Sequence, residues 1–177
     1  MDNTSKGITT NEQIITLLQS CKRCNKLTGN SSHVISHTDL RNFVLPNKKR
    51  KKFGFVVNSQ PHGSNSIGHW WTVIIFDQFC LVYDGLCSIH KNEDVMKNIR
   101  SFCKLNNLKY KNGNLRFQLF DSLTCGWLAT FFIAKASILN YYKFQKMITF
   151  LRGFSIKTRE KIILRFVFRH FKIDNNH

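Results

Sequence analysis

The sequence predicts an α+β domain, a small mixed sheet with helices packed on it. Three observations lead there. Two adjacent stretches, HWWTVIIF (69–76) and FCLVYD (79–84), are rich in β-branched and aromatic residues and are separated only by Asp77-Gln78, which makes a hairpin. Two segments space apolar residues at helical intervals, and a third, CGWLATFFIAKASIL (125–139), is apolar almost throughout and reads as a buried helix. With 177 residues, 42% hydrophobic and 13% aromatic, the chain holds the apolar material for one real core, and only 2 Pro and 9 Gly argue against a linker-dominated design.

The elements follow in order. Asn11–Cys21 (NEQIITLLQSC) comes after a Thr/Asn start and sets Ile14, Ile15, Leu17 and Leu18 at roughly helical spacing. Lys22–Pro46 is polar and turn-rich and reads as mostly loop. The basic run KKRKK (48–52) precedes a strand, FGFVVN (53–58). Gln60–Gly68 is a loop by its Gly, Pro, Ser and Asn content, and the hairpin follows it. Asn92–Leu105 places Val95, Met96, Ile99, Phe102 and Cys103 on one helical face behind an acidic first turn. Arg116–Phe120 (RFQLF) reads as a further strand, and the buried helix begins at Cys125. Ile156–Phe171 interleaves Lys157, Arg159, Lys161, Arg165 and Arg169 with Ile162, Ile163, Phe166 and Val167, a surface helix with a basic outer face. It belongs to a basic C-terminal helical segment of about 150–177 within one domain spanning 1–177.

The formal net charge of +17 points to a polyanionic partner, most often nucleic acid. The opening MDNTSKGITTNEQ has no apolar core, so no secretory leader is expected, and the longest apolar run is broken by Lys135 and too short for a bilayer. The six cysteines are therefore expected to be reduced thiols, open to catalysis or metal binding.

The hairpin carries a geometric test for chemistry. A two-residue turn at Asp77-Gln78 pairs Phe76 with Phe79 and Trp71 with Asp84, which puts His69 and Asp84 on one face as diagonal neighbours, roughly 7–8 Å apart at the backbone. A carboxylate spans that gap to an imidazole; a register slip of one would separate them. Asp77 lies at the far end of the hairpin, and Asp121 reads as a turn or cap residue. A histidine held by an acid is half of a device that activates a nucleophile. Cys125, at the N-terminus of the apolar helix, feels the positive end of the helix dipole, which favours thiolate. Gly126 lets a substrate backbone approach, and Gln118, seven residues before Cys125, carries an amide able to donate to an oxyanion beside the Cys125 backbone N–H.

His69-Trp70, Asp84 ending the next strand, Gln118, six residues, then Cys125-Gly126: in this order the residues resemble the adenovirus endopeptidase (adenain) family and the related proteases of ubiquitin-like proteins. The stretches FGFVVNSQPHGSNSIGHWWTVIIF, LVYDGLC and LRFQLFDSLTCGWLATFFI carry the likeness, which covers roughly Asn11 to Asn140. The resemblance implies a papain-like, adenain-like fold with Cys125 as nucleophile, His69 as base and then acid, Asp84 orienting His69, Gln118 supporting the oxyanion and Trp70 lining the site. Adenain-type enzymes often carry Glu where Asp84 stands; the cellular relatives carry Asp. It further implies cleavage after small residues, typically Gly, in viral capsid and core precursors, no cofactor for the chemistry, stimulation by DNA and an activating peptide, and action in the virion and host nucleus. A monomer is expected. The alternatives are a protease for ubiquitin-like modifiers and a non-catalytic basic DNA-binding or packaging protein.

Three further motifs have readings of their own. Cys21-x2-Cys24 with His33-x3-His37 has zinc-type ligands, but its eight-residue gap is shorter than the roughly 12 of a common finger and lacks apolar anchors, so loop cysteines and exposed histidines are the expected reading. Cys103 is expected to pack in the core, although a cysteine upstream of the nucleophile bonds an activating peptide in adenain. Lys48, Lys49, Arg50, Lys51 and Lys52 form a candidate nuclear-import or phosphate-binding strip, with backbone contact rather than sequence readout expected.

Overall fold

The computed structural model describes residues 10–29, 34–46, 51–60, 68–88, 91–113, 115–120 and 122–173. Helix α1 (Asn11–Ser20) begins at a capping box: the Gln13 N–H donates to the Thr10 hydroxyl and the Thr10 N–H donates to the Gln13 side chain, each at 3.2 Å. Its apolar stripe buries Ile14 and Leu18.

The segment expected to be loop, Lys22–Pro46, instead holds α2 (Lys22–Leu27), the short strand β1 (Val34–Ser36) and the single turn α3 (His37–Leu40). These elements are too short to show a period, and packing makes them: Cys24, Leu27 and Leu40 are buried. Strand β2 (Lys52–Asn58) pairs with β3 (Trp70–Phe76), and β3 with β4 (Phe79–Asp84), both antiparallel. The hairpin register is the expected one, Phe76 opposite Phe79 and Trp71 opposite Asp84. Asp77 supplies the left-handed conformation of the turn (φ 51°), which Asp tolerates through its short polar side chain.

Helix α4 (Glu93–Leu105), capped by the Asn92 side chain, leads into β5 (Lys109–Asn112). This edge strand, KYKN, is too polar to read as a strand from sequence; it pairs parallel to β4, as β1 does to β2, completing a mixed sheet ordered β1-β2-β3-β4-β5. Arg116–Phe120, expected to be a strand, is irregular. The Phe117 and Gln118 N–H groups both donate to the Gly85 carbonyl at 2.9 Å, which anchors the segment to the turn after β4 rather than to a ladder. Helices α5 (Cys125–Ile138), α6 (Tyr141–Arg152) and α7 (Ile156–His170) complete the chain, and α6 extends the C-terminal helical segment back beyond the expected start near 150.

Strand alternation divides the interior in two. Val56, Trp70, Ile74, Phe76, Leu81 and Tyr83 face α5 and its neighbours, whereas Phe55, Val57, Trp71, Val73, Ile75 and Val82 face α4. Helix α5 is buried along most of its length, as its uniform hydrophobicity predicts. Gly54 lets it come close: a Cβ there would stand 3.0 Å from Ile133 and 3.2 Å from Leu27. No helix among the described residues is long and apolar enough to cross a membrane.

Candidate active site

The site forms where β3 begins, β4 ends and α5 begins. His69 precedes β3 and is tied to the end of β2: its backbone N–H donates to Ser59 Oγ (2.8 Å) and its carbonyl accepts from the Ser59 N–H (2.9 Å). Its Nε2 lies 2.5 Å from Asp84 Oδ1. Asp84 is further fixed by the turn that follows it, with the Leu86 N–H donating to Oδ1 (3.0 Å) and the Ser88 N–H (2.6 Å) and hydroxyl (2.9 Å) donating to Oδ2. With Nε2 engaged by the acid, Nδ1 is the ring nitrogen left for the thiol.

Electrostatics couple the three groups. Burial opposes charge on His69, but the Asp84 hydrogen bond, reinforced by Cys125, outweighs it and raises the imidazole to about 9. Burial likewise disfavours a Cys125 thiolate; the His69 ring and the backbone N–H groups of Trp70 and Gly126 outweigh it and hold the thiol below its ordinary value. Burial also opposes the Asp84 carboxylate, yet its bond to His69 and the Ser88 and Leu86 N–H groups keep it well below the usual carboxylate range. The site therefore favours a thiolate beside an imidazolium. Cys125 is buried, with 8% of the residue exposed, and packs at the end of the cluster that α5 shares with the sheet.

Helix α5 contributes its free end. Its N-cap, Thr124, makes no side-chain cap bond, because its hydroxyl donates instead to the Glu160 carboxylate of α7, as does the Ser122 hydroxyl. The first-turn N–H groups of α5 are thus left without a side-chain cap beside the sulfur. Arg159 adds a second tie, donating to the carbonyls of Leu151 (2.8 Å) and Arg116 (2.7 Å). Reasoning from sequence missed Glu160. Its signal was there: it is the sole acidic residue between 141 and 173, three and seven residues before the buried Ile163 and Val167.

Gln118 is buried, and its Nε2 donates to the Ser122 carbonyl, so one amide proton is committed and the second is left over. Its Oε1 is buried without a hydrogen-bond partner, a cost of about 1–3 kcal/mol that native proteins retain mainly where a group has another task. Gly85 makes room for it: a Cβ there would stand 2.7 Å from Oε1. Gly85→Ala is accordingly expected to displace Gln118, and Gln118→Ala to remove its amide. If the amide serves an oxyanion, each lowers kcat, the second by about 10²-fold with little change in KM; steady-state kinetics on a peptide substrate check this. Trp70 is buried with its indole N–H donating to Asn11 Oδ1 (2.8 Å), and its backbone N–H donates to the Cys125 sulfur.

The other expected residues separate. His37 contacts Asn98 of α4 (3.4 Å), His33 lies outside the described residues, and the thiols of Cys21 and Cys24 meet His170 instead. The zinc-type set Cys21/Cys24/His33/His37, the alternative to that expected reading, does not form among the described residues, since α3 carries His37 toward α4; the cysteines expected in a loop lie instead at and in α2, Cys24 fully buried. Lys48, Lys49, Arg50 and Asp121 lie outside the described residues. Lys51 is exposed, but Lys52 is tied down, donating to the Leu139 carbonyl at 2.8 Å. Cys103 is buried against Cys80, as a core residue. Comparison of the sequence with family models and with curated proteins gives no match.

Proposed function

We propose that this chain is a cysteine endopeptidase of the adenain-like type, with a papain-like disposition of sheet and nucleophile helix. One observation carries the reading: an acid holds an imidazole, and that imidazole is in turn coupled to a thiol, the three coming from separate parts of the chain to a helix N-terminus without a side-chain cap. A core cysteine and a surface histidine need no such arrangement. The Cys125 thiolate attacks the acyl carbon, forming a C–S bond, and the carbonyl electrons move to oxygen. The oxyanion is met by the Cys125 backbone N–H and the remaining Gln118 amide proton. Collapse breaks the C–N bond as His69 passes its proton to the departing amine. Neutral His69 then takes a proton from water, whose oxygen attacks the thioester and releases the thiolate. Phe120 and Leu123, 77% and 61% exposed on the segment before Cys125, offer an apolar lip for the substrate chain. The substrates proposed are viral capsid or core precursors cut after small residues such as Gly, in the virion or host nucleus. The test is cleavage of Gly-containing peptides by the purified chain. The reading is lost if none is cut with or without DNA, or if ubiquitin-like conjugates are cut in preference.

DNA is the proposed polyanionic partner. Lys157, Lys161, Arg165 and Arg169 recur every four residues on the exposed face of α7. Like charges at that spacing destabilise a bare helix, and a phosphate backbone relieves them. Replacing all four by Gln is expected to weaken DNA binding and to reduce the log–log salt slope by roughly 0.9 for each phosphate that the helix no longer neutralises. A titration at several salt concentrations showing an unchanged slope would remove α7 from the interface.

A further inference from the structure

Cys21 is the N-cap of α2 and Cys24 its third residue, so the C-x2-C turn brings the two sulfurs to 2.9 Å, with the Cys24 N–H on Cys21 Sγ at 3.4 Å. The last residue of α7, His170, sets its Nε2 3.5 Å from Cys21 Sγ across 149 positions of sequence. The three ligand atoms all lie within 4.8 Å of one another, and both cysteines are free thiols.

We propose that Cys21, Cys24 and His170 bind a Zn²⁺ ion that clamps α2 to α7. Tetrahedral zinc, with Zn–S near 2.3 Å and Zn–N near 2.0–2.1 Å, holds its ligand atoms roughly 3.5–3.8 Å apart. The Cys21–His170 separation already meets that spacing, and the sulfurs need to open by under about 1 Å, a small change for two Cys side chains. Two thiolates and an imidazole suit zinc and exclude magnesium and calcium, which take oxygen ligands. The His170 ring is held in place, stacked on Phe166 (centroids 5.1 Å) and edge-on to Phe171 (4.9 Å). Such support of a ligand's orientation is what metal sites require. Cys21 and His170 are only half-buried, so water takes the fourth position. Two thiolates on Zn²⁺ form a neutral unit, which suits a site flanked by Arg23 and Lys135. A C-x2-C disulfide would have no use for the imidazole. Both α2 and α7 pack on α5, and α7 grips Ser122 and Thr124 through Glu160. The clamp therefore closes a long loop and steadies the helix that supports the segment before Cys125.

The test uses the full chain, purified reduced, stripped with a chelator and reloaded with Zn²⁺ or Co²⁺. One equivalent of zinc per chain is expected, with a lowered thermal midpoint after stripping and, for Co²⁺, thiolate charge-transfer and tetrahedral d–d bands. Cys125→Ser keeps the zinc. His170→Ala and Cys24→Ser lose affinity by more than the roughly 10–100-fold typical of an outer partner, and His170→Cys, a third thiolate, regains it. The proposal is overturned if the wild-type chain shows no stoichiometric metal and no cobalt spectrum. It is equally overturned if His170→Ala binds as tightly as wild type, or if thiol-blocked digestion recovers Cys21 and Cys24 joined as a disulfide.

Discussion

Cys125→Ala is expected to abolish peptide-bond cleavage while leaving the fold in place. Among the described residues the covalent step has no other nucleophile in contact with His69, so the loss in kcat is on the order of 10⁶-fold, the scale for removing a triad nucleophile. The structural cost is small. The thiol is exchanged for a hydrogen, a single heavy atom, and the Trp70 and Gly126 N–H groups lose one weak acceptor, about 1 kcal/mol. Cleavage assays paired with thermal melts separate the two effects. Residual cleavage near the wild-type rate would assign the reaction elsewhere.

Asp84→Ala is expected to have the second largest effect, on rate and stability together. It leaves His69, the Leu86 N–H and both Ser88 donors without their acceptor. With the acid gone, only Cys125 is left to offset burial at His69, whose affinity for a proton falls, so the thiolate–imidazolium pair is depopulated. A fall in kcat/KM of about 10²–10⁴-fold is expected. Stability falls by about 3 kcal/mol, the low end for breaking a buried pair, because the His69 side chain keeps 23% of its exposure. Asp84→Asn, which keeps the shape and loses the charge, should spare more stability than rate.

The same pair makes its own contribution to the pH dependence of stability. The raised imidazole contributes fully below its ordinary 6.5 and is lost as pH rises through about 9. The depressed Asp84 contributes above the ordinary carboxylate range and is lost as pH falls toward its lowered value. The pair's contribution is therefore greatest from just above the carboxylate range to near neutrality, and Asp84→Ala removes it on both flanks.

The sequence carried the hairpin register because a two-residue turn and strict alternation leave one pairing that keeps both faces apolar. That register sets His69 and Asp84 on one face, where they meet. The buried helix and its leading cysteine were legible for a similar reason, since fourteen residues with almost no polar face have one place to go. What escaped was short or held by distant partners. Strand β5 is polar because it lies at an edge, and β1 has three residues. Gln118 sits in an irregular segment anchored by Gly85, a contact no periodicity announces. His170 and Glu160 act across more than 140 and 30 positions respectively, so only the folded chain brings them to Cys21 and to Ser122.

The most direct measurement is the pH dependence of alkylation at Cys125, followed by peptide mapping because five other cysteines are present. A sulfur that shares its proton with an acid-supported imidazole should react at mildly acidic pH, at a rate that Asp84→Ala suppresses. A rate that climbs only through the ordinary thiol range near pH 8.5, unchanged by Asp84→Ala, would contradict the account.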